Sequence, residues 1–117
     1  MKTRLKHVRA NVLDLRKAIE WYRNTLGFKV AATWPLEKPN YAHFEHEDGA
    51  MFAIMENENF PSHGRFNFYV DNVDEIWSQI KDKVEVIEEL FSTAYGSRKF
   101  TILDLDGNEL SFVQDEE

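Results

Sequence analysis

The side chains able to do chemistry in this chain fall on alternating positions. Near the start, His7, Arg9 and Asn11 alternate with Val8, Ala10 and Val12; in the second half, Arg65, Asn67 and Tyr69 alternate with Phe66, Phe68 and Val70. Period-two alternation marks a half-buried strand, so each trio shares one strand face. Glu109 and Ser111 share a face in the same way, as do Met51, Ala53 and Met55. His7 carries an imidazole that can serve as a general base or a ligand anchor, or simply be a polar group satisfied by a neighbour. Arg65 can grip a carboxylate or phosphate through two parallel hydrogen bonds, or pair with Glu109. Met51 and Met55 offer an adaptable apolar wall, or core filling. Trp34 lies before the third strand, outside both helix stripes, where it can stack on a ligand, cover a subunit interface or pack within its loop.

The run HFEHE carries His43 and His46, which by composition suggests a metal. On a strand, however, the two histidines point to opposite faces and cannot chelate one ion, so a solvent-facing or mixed strand is expected. His63 lies in a polar stretch without an evident partner. Neither a phosphate-cradling glycine loop nor a Ser/His/Asp arrangement is present.

The elements that must position these residues follow from the pattern of apolar positions. Leu5 to Val12 reads as a strand, and Asp14 then caps a helix with the stripe Leu15, Ala18, Ile19, Tyr22 and Leu26, stopped by Gly27. Strands are expected at Phe28 to Thr33, Tyr41 to His46 and Ala50 to Met55, the last two flanking a turn at Asp48-Gly49. A polar loop over Glu56 to Gly64 leads to a second pass: a strand from Arg65, and a helix after Asn72 with the stripe Val73, Ile76, Trp77 and Ile80. A strand over Val84 to Leu90 follows, then a hairpin from Tyr95 to Phe112 closed by a tight turn at Asp106-Gly107.

The two passes share one offset. Val12 maps to Val70, Asp48-Gly49 to Asp106-Gly107, and the first helix stripe to the second, all by 58 residues. Two copies of a β-α-β-β-β unit, about 1–59 and 60–117, are therefore expected. The predicted class is α+β, with paired curved mixed sheets, helices outside and polar strand faces lining a cleft. No flexible linker separates the halves, so a single domain over 1–117 is expected.

Composition narrows the function classes. The chain has 117 residues, enough to bury a core, and no cysteine, which excludes disulfides and thiolate metal sites. A net charge of −7 argues against nucleic acid and anionic membranes as partners. The basic start is not followed by an apolar run of signal-peptide length, so a soluble cytoplasmic protein is expected.

With these residues in place, the chain resembles the vicinal oxygen chelate superfamily, which includes glyoxalase I, extradiol dioxygenases, fosfomycin resistance enzymes and bleomycin resistance proteins. RLKHVRANVLDLRKAIEWYRNTLGFKV is similar to its opening strand and helix, and YGSRKFTILDLDGNELSF to its late hairpin, with Leu105 replacing the usual proline. The resemblance implies metal ligands on the first, fourth, fifth and eighth strands, which fall on His7, Ala53, Arg65 and Ser111. Of these only His7 is a good ligand: alanine has no donor, guanidinium stays protonated and serine binds such ions poorly. Glu109 is displaced from the eighth-strand position by two residues, about 7 Å along a strand.

The expectation is therefore a small-molecule-sequestering protein with neither metal nor other cofactor, closest to the bleomycin-resistance branch. Its ligand would meet Met51, Met55 and Trp34 as apolar walls and His7, Arg9, Arg65, Asn67, Tyr69, Glu109 and Ser111 as polar groups. The resemblance also implies a homodimer. The alternative is an enzyme, a lyase, isomerase or dioxygenase with an unorthodox metal site, or a catalyst using His7 and Glu109 as acid and base. A third reading is a regulatory or structural module whose cleft is occluded.

Overall fold

Each half of the chain folds its alternating segments into one mixed sheet and lays its amphipathic helix on the apolar side. The computed structural model describes residues 1–59 and 62–116. It comprises two compact units, Met1–Ser62 and His63–Glu117. The first contains β1 (His7–Val12), α1 (Leu15–Leu26), β2 (Val30–Trp34), β3 (Tyr41–Phe44) and β4 (Met51–Glu56). Its sheet order is β1-β4-β3-β2, with β1 parallel to β4 and the other pairs antiparallel. The second contains β5 (Arg65–Tyr69), α2 (Val73–Ile80), β6 (Glu85–Ser92), β7 (Ser97–Leu103) and β8 (Glu109–Asp115), in the order β5-β8-β7-β6 and with the same senses of pairing. The α+β class and the two tandem βαβββ modules are as the sequence predicts.

The 58-residue step persists down to single hydrogen bonds. Asp14 caps α1 by accepting from the Lys17 N–H at 3.0 Å, and its counterpart Asn72 caps α2 by accepting from the Glu75 N–H at 3.1 Å. A second acceptor reaches each helix start from the sheet: Glu56 accepts from the Leu15 N–H at 3.0 Å, and Gln114 from the Val73 N–H at 2.8 Å. These bonds satisfy amide groups that a helix cannot satisfy itself. They also lock each helix to the end of its central parallel strand, β4 or β8. At the end of α1, Gly27 turns left-handed at φ 73°, and the Phe28 N–H reaches back to the Tyr22 carbonyl at 3.1 Å.

Packing differs between the units although the framework repeats. The first core is aromatic around Tyr22, whose ring lies 5.2 Å from Phe44 and 5.7 Å from both Phe28 and Phe52. In the second, Phe100 lies 5.1 Å from Trp77 and 5.3 Å from Phe112. With the helices packed against the central strands of their sheets, the opposite faces carry the residues singled out for chemistry.

Several expected boundaries move. The first strand begins at His7, not Leu5, and the second at Val30, not Phe28, because Phe28 is used in the helix stop. The third strand ends at Phe44, leaving His46 outside it. The closing hairpin has no tight two-residue turn: five residues, 104–108, join β7 to β8. That loop is organised by Asp104, whose carboxylate accepts from the N–H groups of Asp106 at 2.8 Å and Asn108 at 2.9 Å and from the Asn108 side-chain amide at 3.0 Å. The polar loop expected over 56–64 includes residues 60 and 61, which lie outside the described residues.

Candidate functional site

On the first unit, ladder pairing fixes which side chains share the face away from α1. His7 is opposite Met51, Arg9 opposite Ala53, and Asn11 opposite Met55. The next strand continues the rows, with His43 opposite Ala53 and Tyr41 opposite Met55, and Trp34 lies opposite Tyr41. Paired residues project to the same side. His43 is thus half-buried on the predicted ligand face rather than solvent-facing, because only His46, not His43, falls beyond the strand. The Tyr41 hydroxyl and His43 Nδ1 form a hydrogen bond of 3.2 Å. The His7 Nδ1 atom is buried and has no hydrogen-bond partner among the described residues. Trp34, expected in a loop, ends β2 and is 63% exposed.

On the second unit, the corresponding positions hold a charged cluster. Arg65 Nε donates to Ser111 Oγ at 3.2 Å, and one terminal nitrogen donates to Thr101 Oγ1 at 2.9 Å. The same nitrogen is 2.5 Å from a Glu88 carboxylate oxygen. Thr101 and Ser111, both fully buried, share a 2.7 Å hydrogen bond, and the Thr101 hydroxyl also lies 2.7 Å from the same Glu88 oxygen. Arg65 therefore pairs with Glu88 and not with Glu109, although Glu109 is its ladder neighbour. A hydrogen bond from Thr101 is the main effect holding the Glu88 carboxyl below its ordinary value. Arg65 and Lys99 reinforce it, against the opposing effect of partial burial.

Further along this face is an open concavity of about 350 Å³. It is lined by Asn67, Phe68, Tyr69, Tyr95, Ser97, Lys99, Val113 and Asp115. Tyr69 and Tyr95 are 80% and 77% exposed, large aromatic surfaces left uncovered where they line the hollow. Thr93 and Ser97 hold the Tyr95 turn: the Thr93 hydroxyl accepts from the Ser97 N–H at 3.1 Å, and the two hydroxyls are 2.9 Å apart.

Residues 4–112 match the glyoxalase/bleomycin resistance protein/dioxygenase superfamily. The chain belongs to this superfamily. Solved structures share the superfamily fold. TioX from Micromonospora sp. ML1 is similar with a TM-score of 0.83 and 16% identity, covering 97% of this chain and 99% of that one. TnmS3, an antibiotic binding protein from Streptomyces sp. CB03234, gives 0.81 and 21%, with 98% of each chain covered. A lactoylglutathione lyase from Agrobacterium tumefaciens gives 0.75 and 21%, covering 97% of this chain and 94% of the other. A search of curated proteins returns no match.

The metal implied by catalytic members of the superfamily does not fit the residues present. Ala53 has no donor atom, and the Arg65 guanidinium is itself bonded to Ser111, so both second-unit positions are taken up by an internal cation and its acceptor. Among the described residues no group of three or more His, Asp or Glu side chains could hold a metal ion.

Of the residues predicted to meet a ligand, the structure draws Arg65 and Ser111 into direct contact and puts Asn67 and Tyr69 at the concavity. His7, Arg9, Met51 and Met55 share adjoining rows of the first unit's face, and Glu109 stands beside Arg65 without joining its ion pair. Lys99, Thr101, Tyr95 and Asp115 were not predicted. Strand parity could have found Lys99 and Thr101, since both alternate with the core residues Phe100 and Ile102. The 58-residue step could have found His43, which maps onto Thr101. Tyr95 lies in a turn, where neither parity nor repeat gives a direction.

Proposed function

We propose that this protein binds and sequesters a small molecule on its polar sheet faces and performs no metal-dependent chemistry. The observation that carries this reading is the 350 Å³ hollow on the second sheet, bordered by exposed Tyr69 and Tyr95. Its volume is at the small end of ligand pockets, about 300–1,000 Å³. Exposed tyrosines bring large, stiff contact areas with a polar tip, suited to holding a flat organic molecule. The antibiotic-binding neighbour TnmS3 supports the same direction for this chain. The replacement of a ligand set by Ala53 and an internally bonded Arg65 supports binding without a metal.

Two measurements test the reading. Flat aromatic compounds should raise the thermal midpoint, and Tyr69→Ala or Tyr95→Ala should weaken their binding by about tenfold while the fold persists, a loss of about 1.4 kcal/mol. Added Ni²⁺, Zn²⁺, Mn²⁺ or Fe²⁺ should leave the midpoint unchanged, since a cation bound only by the folded state would raise it. Stoichiometric metal in the purified protein, lost on His7→Ala, would overturn the metal-free assignment.

A further inference from the structure

The second sheet arranges its open face in rows. Pairing across β5, β8 and β7 places Tyr69, Val113 and Lys99 in one row, with Val113 between the other two. Two strand spacings separate the backbones of Tyr69 and Lys99, about 10 Å. Val113 thus forms an apolar floor, Tyr69 one wall, and Lys99 the opposite end, all lining the same hollow. Tyr95 borders it from the pinned turn before β7.

Lys99 has capacity left for a ligand. Its side chain is only 15% exposed, and its one ion-pair contact among the described residues is Glu88 at 3.7 Å. That distance is too long for a hydrogen bond. The same Glu88 oxygen already receives the Arg65 guanidinium and the Thr101 hydroxyl. The ammonium also lies 5.9 Å from the Phe91 ring, which offers a weak attraction and no acceptor oxygen. Arg65, Lys99 and Glu88 together leave one positive charge. An ammonium with three donors and no acceptor within hydrogen-bond distance among the described residues, mostly withdrawn from water, favours an incoming anion.

The other acidic groups do not cancel this preference. Asp115 also lines the hollow but is exposed, lies opposite Ser97 and stands diagonally one row from Lys99. Its charge is screened by solvent more strongly than that of Lys99. Glu109 is another two residues along β8 from Ser111, opposite Arg65, on the side of the cluster away from Val113.

We infer that the hollow takes a planar aromatic anion, its ring over Val113 beside Tyr69 and Tyr95 and its carboxylate or phenolate on the Lys99 ammonium. This ligand class rests on the small-molecule-binding reading and narrows it. The test uses one ring with three charges: 2-naphthoate, 2-naphthamide and 2-naphthylmethylammonium. Each is titrated into the full chain by calorimetry and by amide NMR shifts of Asn67, Tyr69 and Val113. Naphthoate should bind about tenfold more tightly than the amide, as expected for one charge-assisted hydrogen bond. Lys99→Met, which keeps the apolar stem, should bring naphthoate down to the level of the amide and leave amide affinity within about twofold. Lys99→Arg should restore the preference for the anion. Equal or tighter binding of the amide or the ammonium compound, or an anion preference that survives Lys99→Met, overturns the ligand class and leaves small-molecule binding standing. Absence of any shift with all three compounds overturns both.

Discussion

Arg65 shows how one substitution changes what a sheet face can do. Its guanidinium joins two buried hydroxyls and a carboxylate, so removing it leaves Thr101 and Ser111 with each other and Glu88 with Thr101 and a distant Lys99. Arg65→Met should therefore destabilise by about 1 kcal/mol, the ordinary net value of a hydrogen-bonded contact, measured by urea unfolding. Glu88 adds a pH signature. Its carboxyl lies below the ordinary 4.5, so its stabilising effect is complete above that value and fades as pH falls through the depressed one. Glu88→Gln should cost about 0.5–1 kcal/mol at neutral pH, a small effect because the pair is one-third exposed to water. The gap between wild type and variant should then close on acidification below about pH 4.5; a gap constant from pH 7 to pH 3 would remove the ion pair from the account. At this scale the resemblance put Arg65 and Ser111 at two of the four expected ligand positions, but nothing in the sequence showed which carboxylate Arg65 would choose. Glu109 is the nearer ladder neighbour on β8, whereas Glu88 comes from β6, whose irregular pairing with β7 aligns it with Thr101. A register shift of that kind leaves no mark in residue types.

At the scale of elements, each helix is tied to its sheet by the same pair of acceptors, and this can be measured twice within one chain. Asp14→Ala and Asn72→Ala should each cost about 1 kcal/mol, the usual value of an N-cap. Glu56→Ala and Gln114→Ala remove the second acceptor, leaving the Leu15 and Val73 amides without it. Both of those residues are buried, at 3% and 0% exposure, so each substitution should cost about 1–2 kcal/mol in chemical unfolding. If the Glu56 and Gln114 variants were as stable as wild type, the strand-to-helix ties would be incidental. The caps themselves were legible because Asp and Asn precede apolar stripes of helical spacing. The Glu56 and Gln114 ties were not, since they join residues 41 positions apart in each unit. The hairpin loop was partly legible: Gly107 does adopt a positive φ of 87°. Its length was missed because the organising group is the Asp104 carboxylate, which gathers three donors within the loop from outside the Asp-Gly pair.

For the whole molecule, the duplication gives two similar frameworks with unlike open faces, and the proposed ligand hollow belongs entirely to the second unit. Fluorescence can isolate that unit, because Trp77 is its tryptophan and packs 5.1 Å from Phe100 in its core. Trp21→Phe combined with Trp34→Phe leaves Trp77 as the reporter of second-unit unfolding; Trp34 is 63% exposed, so its replacement should cost little. A ligand bound by the folded state alone stabilises it by about 2.7 kcal/mol at a free concentration 100 times its Kd. For a chain of this size that corresponds to roughly 10 °C in the thermal midpoint. The Trp77 transition should therefore move upward by about that amount on saturation with 2-naphthoate, and by much less in Tyr69→Ala at the same concentration. A Trp77 transition that stays in place while calorimetry reports saturation would put the bound molecule outside the second unit. That outcome would redirect attention to the first unit's face, where Trp34, Tyr41, His43 and Met55 form the other group of aromatic, titratable and apolar side chains on adjoining strands.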